Sequence, residues 1–195
     1  MFNIMLDRLP TEYKGYSINS DFRIGVQMFQ ALSDNELTDM EKISISCALL
    51  FDVENAAEYP DMATIQEGVQ WFLSGWYTDN PIKSKEEQKK DVDYDVDQWR
   101  IFSAFLTQFG INLNTVDMHF WVFMGLLSTL EECAFTRIVD IRTKKIDPKM
   151  KPSDKKALKE VKERYALENV EDTQMSAQER AEYDIFMKYA KKGKK

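Results

Sequence analysis

The chain has 195 residues, 44% hydrophobic and 30% charged, with Phe 12, Tyr 8 and Trp 4. That mixture excludes a disordered chain and supplies enough large apolar side chains for one core without disulfide staples. A formal charge of −7 argues against nonspecific attraction to nucleic acid or an anionic membrane. Gly 7 and Pro 5 are scarce, which favours helices over a turn-rich sandwich or barrel.

From the N-terminus, acidic Asp7 and Glu12 without an apolar run predict no signal peptide. Tyr13, Tyr16 and Ile18 flank Lys14-Gly15, where Gly15 supplies the positive φ of a tight β-hairpin. So small a hairpin must pack on helices to persist. Ser20 then predicts the cap of a first helix carrying Phe22, Val26, Phe29 and Leu32 at helical spacing. Thr38 with Glu41 three residues later has the arrangement of a capping box for a second helix, with Ile43, Ala48, Leu49 and Leu50 leading to Phe51. A third helix after Pro60 carries Ile65, Val69, Phe72 and Trp76, with Gly75 at its C-cap.

Residues 78–90, with Pro81 and a run of Lys and Glu, predict a solvated loop. A fourth helix, from about Asp95 to Phe109, places Trp99, Phe102, Leu106 and Phe109 on one face that is expected to be core. A fifth, about Val116 to Leu130, is apolar on most sides and so predicted to be the central helix, with Trp121, Phe123, Leu126 and Leu127 buried against the fourth. Its greasiest stretch, Phe120 to Leu127, is far shorter than the roughly 20 residues of a membrane span. A short helix around Phe135 to Ile141 follows, then a linker broken by Pro148 and Pro152.

Ser153 predicts the cap of a charged helix with Leu158, Val161 and Tyr165 on its narrow apolar face. A terminal helix capped by Ser176 with Glu179 carries Ile185, Phe186 and Tyr189 ahead of a lysine tail. The expected fold is mainly α: an irregular helical bundle with a small N-terminal β-hairpin and a helical C-terminal appendage. Its core domain spans residues 1–145 and its charged appendage residues 146–195. A helix as short and polar as the last one is marginal alone, which marks Ile185, Phe186 and Tyr189 as partner-binding residues.

Chemistry-bearing patterns are sparse. The one histidine, His119, sits between Met118 and Phe120 and reads as a hydrogen-bonded packing residue rather than an acid or base. Cys47 and Cys133 read as small buried hydrophobes, not as a disulfide framework or metal knuckle. No nucleophile elbow, phosphate-binding glycine loop or HExxH zinc motif occurs. The ladder Asp91, Asp93, Asp95 and Asp97 resembles the start of a calcium loop, but Val96 stands where the loop needs Gly and Phe102 where it needs Glu. Those carboxylates read instead as helix-capping groups. No catalysis, cofactor or metal is expected.

Several segments, in order, resemble the bacteriophage proteins named for gene product fifteen. They include Leu9-Pro10 with Gly15 and Ile18, Ser20-Asp21-Phe22-Arg23, and Trp71-Phe72 with Gly75. Tyr94-Asp95 with Asp97, Phe102 with Phe105, and Phe109-Gly110-Ile111-Asn112-Leu113 continue the series. Met118-His119-Phe120-Trp121 with Phe123, then Leu126-Leu127 and Leu130, are the most specific, and Ile138 to Arg142 and Lys162 to Leu167 complete it. Met118 and Phe120 depart from a Leu-His-Trp-Trp pattern, and Asn112 stands where Asp is usual. The resemblance implies a phage tail-module protein in the host bacterial cytoplasm. Its implied role is that of a tail assembly chaperone whose partners are the tape-measure protein and other tail proteins. The alternative it leaves open is a structural virion component of the tail tube or its end. Neither nucleic acid nor membrane is an expected partner, and a homo-oligomer stays open.

Overall fold

The Lys14-Gly15 turn adopts positive φ at both residues, 50° and 86°, the two-residue geometry whose twist matches a β-hairpin. Strands β1 (Glu12–Tyr13) and β2 (Tyr16–Ser17) pair antiparallel across it, with Tyr13 opposite Tyr16. The computed structural model describes residues 3–52, 59–75 and 91–167. Within them lie seven helices: α1 (Phe22–Ser33), α2 (Asp39–Leu50), α3 (Met62–Ser74), α4 (Gln98–Phe109), α5 (Phe120–Ser128), α6 (Ala134–Thr143) and α7 (Pro152–Tyr165). The mainly helical fold with an N-terminal hairpin is as expected. No described helix is long and apolar enough to cross a membrane.

The chain divides into two compact units, one holding described residues 3–52, 59–75 and 117–124, the other 91–116 and 125–167. In the first, α2 packs against both α1 and α3. Its core includes Phe22, Met28, Leu50, Phe51, Ile65, Phe72, Phe120, Trp121 and Phe123. The first residues of α5 therefore are core, although the helix is shorter than expected. Phe120 stacks on Phe72 with centroids 5.0 Å apart, and Phe123 on Phe22 at 4.9 Å. Helix α1 buries Phe22 as expected, but Gly25 and Met28 in place of Val26, Phe29 and Leu32. The face shifts because Phe120 lies flat on α1 at Gly25, where a Cβ would come within 2.1 Å of its ring.

Caps explain most of the helix boundaries. Thr38 and Glu41 form the predicted reciprocal capping box of α2, and Asp61 accepts from the Thr64 amide to start α3. Helix α1 is capped by Asp21, which accepts from the Arg23 amide at 2.9 Å, not by Ser20. Likewise Lys151 precedes Pro152 at the start of α7, and Ser153 lies inside the helix with its hydroxyl on Asp154. Proline supplies a preset φ at that first helical position and has no amide to orphan.

In the second unit both α4 and α7 pack on α6. Its buried residues include Ile101, Ala104, Phe105, Phe135 and Ile138. The expected core face of α4 is not core: Trp99 and Leu106 are exposed, and the opposite face, Ile101, Ala104 and Phe105, is buried instead. Leu126 and Leu127 are half-buried, and the Trp121 partners on view are Phe72, Trp71 and His119. Residues 146–167 of the expected appendage include α7, which buries no side chain fully. The remainder of the appendage, with Ile185, Phe186 and Tyr189, lies outside the described residues, as do Trp76 and residues 78–90.

Two substitutions weigh this packing with opposite signs. Gly25→Ala should lower urea stability by about 2 kcal/mol or more, since overpacking the Phe120 ring outweighs the helix propensity gained. Ser46 is fully buried in α2 and its hydroxyl has no hydrogen-bond partner. Ser46→Ala should therefore raise stability by about 1 kcal/mol. A stable Gly25→Ala variant would contradict the Phe120–α1 contact.

Candidate functional site

His119 joins four segments of the first unit. Its Nε2 lies 3.0 Å from the carbonyl of Pro10, and its Nδ1 lies 3.0 Å from the amide of Trp121. A carbonyl only accepts and an amide only donates, so Nε2 carries the proton and Nδ1 is bare. His119 is thus a neutral imidazole that caps the first turn of α5 while tethering the N-terminal segment. Burial pushes its pKa below 6.5, and the Pro10 bond opposes that shift only in part. Trp121 completes the arrangement by donating its indole N–H to the carbonyl of Phe72, 2.8 Å away at the end of α3.

Backbone pairs run alongside. The Phe22 amide donates to Met118 and the Phe120 amide to Ser20, both at 2.8 Å, pairing Asp21 with His119 as an isolated β-bridge. Immediately before it, Ile18 pairs with Phe51, and the Asn19 amide donates to Leu50 at 2.8 Å. An open cleft of about 570 Å³ lies beside these bridges, lined mainly by polar groups that include Asn19, Asp52, Asp117 and His119. Asp21, also on its wall, is engaged: it caps α1 and pairs with the Arg23 guanidinium at 3.1 Å. Both ring nitrogens of His119 are likewise engaged.

The acidic ladder has a different fate in the second unit. Asp93 accepts from the amides of Asp95 and Val96 at 2.9 and 3.0 Å, forming a local turn. Asp97 stands at the N-cap position of α4 but makes no side-chain cap bond. Its fully buried carboxylate instead takes the Arg142 guanidinium in a two-pronged pair at 2.6 and 3.1 Å, with Arg100 at 3.0 Å on one oxygen. Arg142 also donates to the carbonyls of Asp91 and Tyr165, at 3.1 and 2.8 Å. The capping expectation for Asp97 is therefore corrected: the carboxylate is anchored by a cation rather than by helix amides. Among the described residues no group of three or more His, Cys, Asp or Glu side chains could hold a metal ion.

Cys47 is buried in α2, where desolvation raises its thiol pKa. Cys133 is only half-buried and sits at the N-cap of α6, which corrects the expectation that both are buried. Sequence reasoning also missed Arg142 and Pro10 as partners. Arg142 bonds residues 45 positions away, and no local spacing announces such a contact.

The outer face of α4 carries exposed apolar side chains. Trp99 is 72% exposed and Leu106 45%, with half-buried Phe102 between them and Val96, 56% exposed, just before the helix. Trp99 and Phe102 meet edge to face, with centroids 5.9 Å apart.

These are the features of a mainly helical protein whose polar signature groups hold its own tertiary structure. The chain belongs to the bacteriophage Gp15 protein family, whose model matches residues 5–167. No curated protein and no solved structure matches it.

Because His119 is held neutral, the unfolded chain binds its proton first as pH falls. The stability it contributes is present above pH about 6.5 and is lost as pH drops from there through the lower folded-state pKa. Urea stability should therefore fall more steeply between pH 7.5 and 5 in the native chain than in a His119→Asn variant, whose amide can still cap α5 without titrating. Equal pH slopes would contradict the lowered pKa of His119 in the folded chain.

Proposed function

We propose that this protein assists phage tail assembly by noncovalent binding, without turnover, metal or cofactor, in the cytoplasm of the host bacterium. The observation that carries this reading is that the family's signature side chains serve internal contacts. His119 uses both ring nitrogens and Asp97 is closed off by Arg142. Neither group is left in the pairing that general acid–base or nucleophilic chemistry needs.

The clients we propose are the tape-measure protein and other tail proteins. A tape measure is long and helical with an apolar stripe, which would aggregate before tube protein covers it. Holding such a stripe requires a complementary apolar surface and a charged exterior. The net charge of −7 and ten methionines, whose side chains adapt to varied partners, suit that task. Ile185, Phe186 and Tyr189 remain proposed contacts to such a client.

An assembly chaperone leaves its product, whereas a tail tube component stays. Mass spectrometry of purified virions should detect no copies of this chain, while a tagged copy pulls down the tape-measure protein from infected cells before assembly. Stoichiometric recovery from virions would assign the chain to the tail structure instead. Failure to capture any tail protein would remove the assembly reading.

A further inference from the structure

Helix α7 is held differently from its neighbours. Helix α4 buries Ile101 and Phe105, and α6 buries Phe135 and Ile138, whereas α7 buries no side chain fully. Eight of its 14 residues are charged. Its least exposed side carries Leu158, Val161 and Tyr165, all half-buried, at i, i+3 and i+7. That helix packs against α6.

The polar bonds that fasten α7 are ones that water can replace. Arg142 donates from Nε to the carbonyl of Tyr165, the last residue of α7, at 2.8 Å. It thus caps an orphan C-terminal carbonyl with a cation. Lys155 and Lys162 donate to the carbonyls of Pro148 and Lys144, at 2.6 and 2.5 Å, both in the linker that leads into α7. When α7 swings away, these donors and carbonyls turn to water. The buried ion pair stays whole, because Asp97 and the Asp91 carbonyl still hold the Arg142 guanidinium. Opening at α4 or α6 would instead break that pair and expose buried Phe105 or Phe135. Local opening begins at the element that loses least, which in this unit is α7. The linker, residues 144–151, is exposed over most of its length and gives the helix room to leave.

We propose that α6 carries a helix-binding site, that α7 occupies it as a detachable resident, and that an amphipathic helix of another protein takes its place. The resident helix defines the chemistry of the replacement. It needs a narrow apolar stripe at i, i+3 and i+7 in its last turns, and a C-terminal carbonyl over Arg142. Tethered beside the site, α7 competes at a high local concentration. The closed chain therefore binds such a helix weakly, and a chain whose α7 is undocked binds it well. This site goes beyond the assembly reading and stands without it.

Native-state hydrogen exchange on the full, unaltered chain gives the first test. The α7 amides should exchange roughly a hundredfold or more faster than the central amides of α4 and α6, through an opening that low urea leaves little changed. The second test adds a labelled peptide with the sequence of residues 152–167 to the full chain and follows its anisotropy. A Leu158→Asp, Val161→Asp variant, altered only on α7, should keep the native near-ultraviolet circular dichroism. It should bind the peptide at least tenfold more tightly than the native chain does. A peptide carrying the same two substitutions should not bind. Equal protection and equal urea response in α7 and α6 would overturn the proposal. So would binding no tighter in the variant than in the native chain, or undiminished binding of the substituted peptide. Loss of the near-ultraviolet signal in the variant would overturn it too, by making α7 integral to its unit. Dimerisation of the native chain in sedimentation that the variant abolishes would also overturn it, by seating α7 on a second copy.

Discussion

The extended segment Ser17–Phe22 is the constraint on which the first unit depends. Six residues of irregular backbone leave donors and acceptors that a buried site must satisfy. Here three neighbours satisfy them in turn. The Ile18 amide reaches back to Thr11 at 3.0 Å, Ser17 and Asn19 exchange bonds with Asp52 and Leu50, and Ser20 and Phe22 exchange bonds with Phe120 and Met118. The hairpin, the end of α2 and the start of α5 are thereby fixed to one strap. Phe22, at its end, and Phe120, bonded to it through Ser20, then meet core partners across short ring contacts. His119 adds the only bond from this region to Pro10 that a side chain in the described residues provides.

The second unit solves a similar problem with charge. Asp97 and Arg142 are both almost wholly withdrawn from solvent, at 0% and 6% side-chain exposure. Desolvating two ions is costly, and a pair of this kind persists when its remaining lone pairs and protons are also bonded. They are: Arg100 and the Asp93 amide complete the carboxylate, and the carbonyls of Asp91 and Tyr165 complete the guanidinium. Removing one partner would strand a buried charge, at a cost of about 3–5 kcal/mol. Through Tyr165 the same group holds the end of α7, which has no fully buried side chain of its own.

Sequence patterning was most legible where structure is local. Lys14-Gly15 and Thr38 with Glu41 each depend on residues within one turn, and each is found as read; of the α3 stripe Ile65 and Phe72 are buried as read, with Gly68 beside them and Val69 half-buried. It misled at α4 because both faces of that helix are apolar, and the heavier aromatic face looks like core. Only the position of α6 decides that Ile101 and Phe105 face inward. It misled at Ser20 because a neighbouring Asp21 is an equally good cap, while the Ser20 carbonyl is required by Phe120. The reading of His119 as a bonded packing residue survives, but its partner Pro10 lies 109 positions away, beyond any local signal. The segments that carry the family resemblance, Pro10, Ser20–Phe22 and Met118–Trp121 in one unit and Asp97, Arg142 and Tyr165 in the other, converge as contacts. They mark the fold.

Native-state hydrogen exchange of the Asn19, Phe22 and Phe120 amides tests this account most directly. If the strap organises its unit, these amides exchange only through global unfolding, with the same opening free energy as the central amides of α1 and the same response to low urea. If they exchange orders of magnitude faster while α1 stays protected, the strap is a frayed loop and the signature residues around it need another explanation.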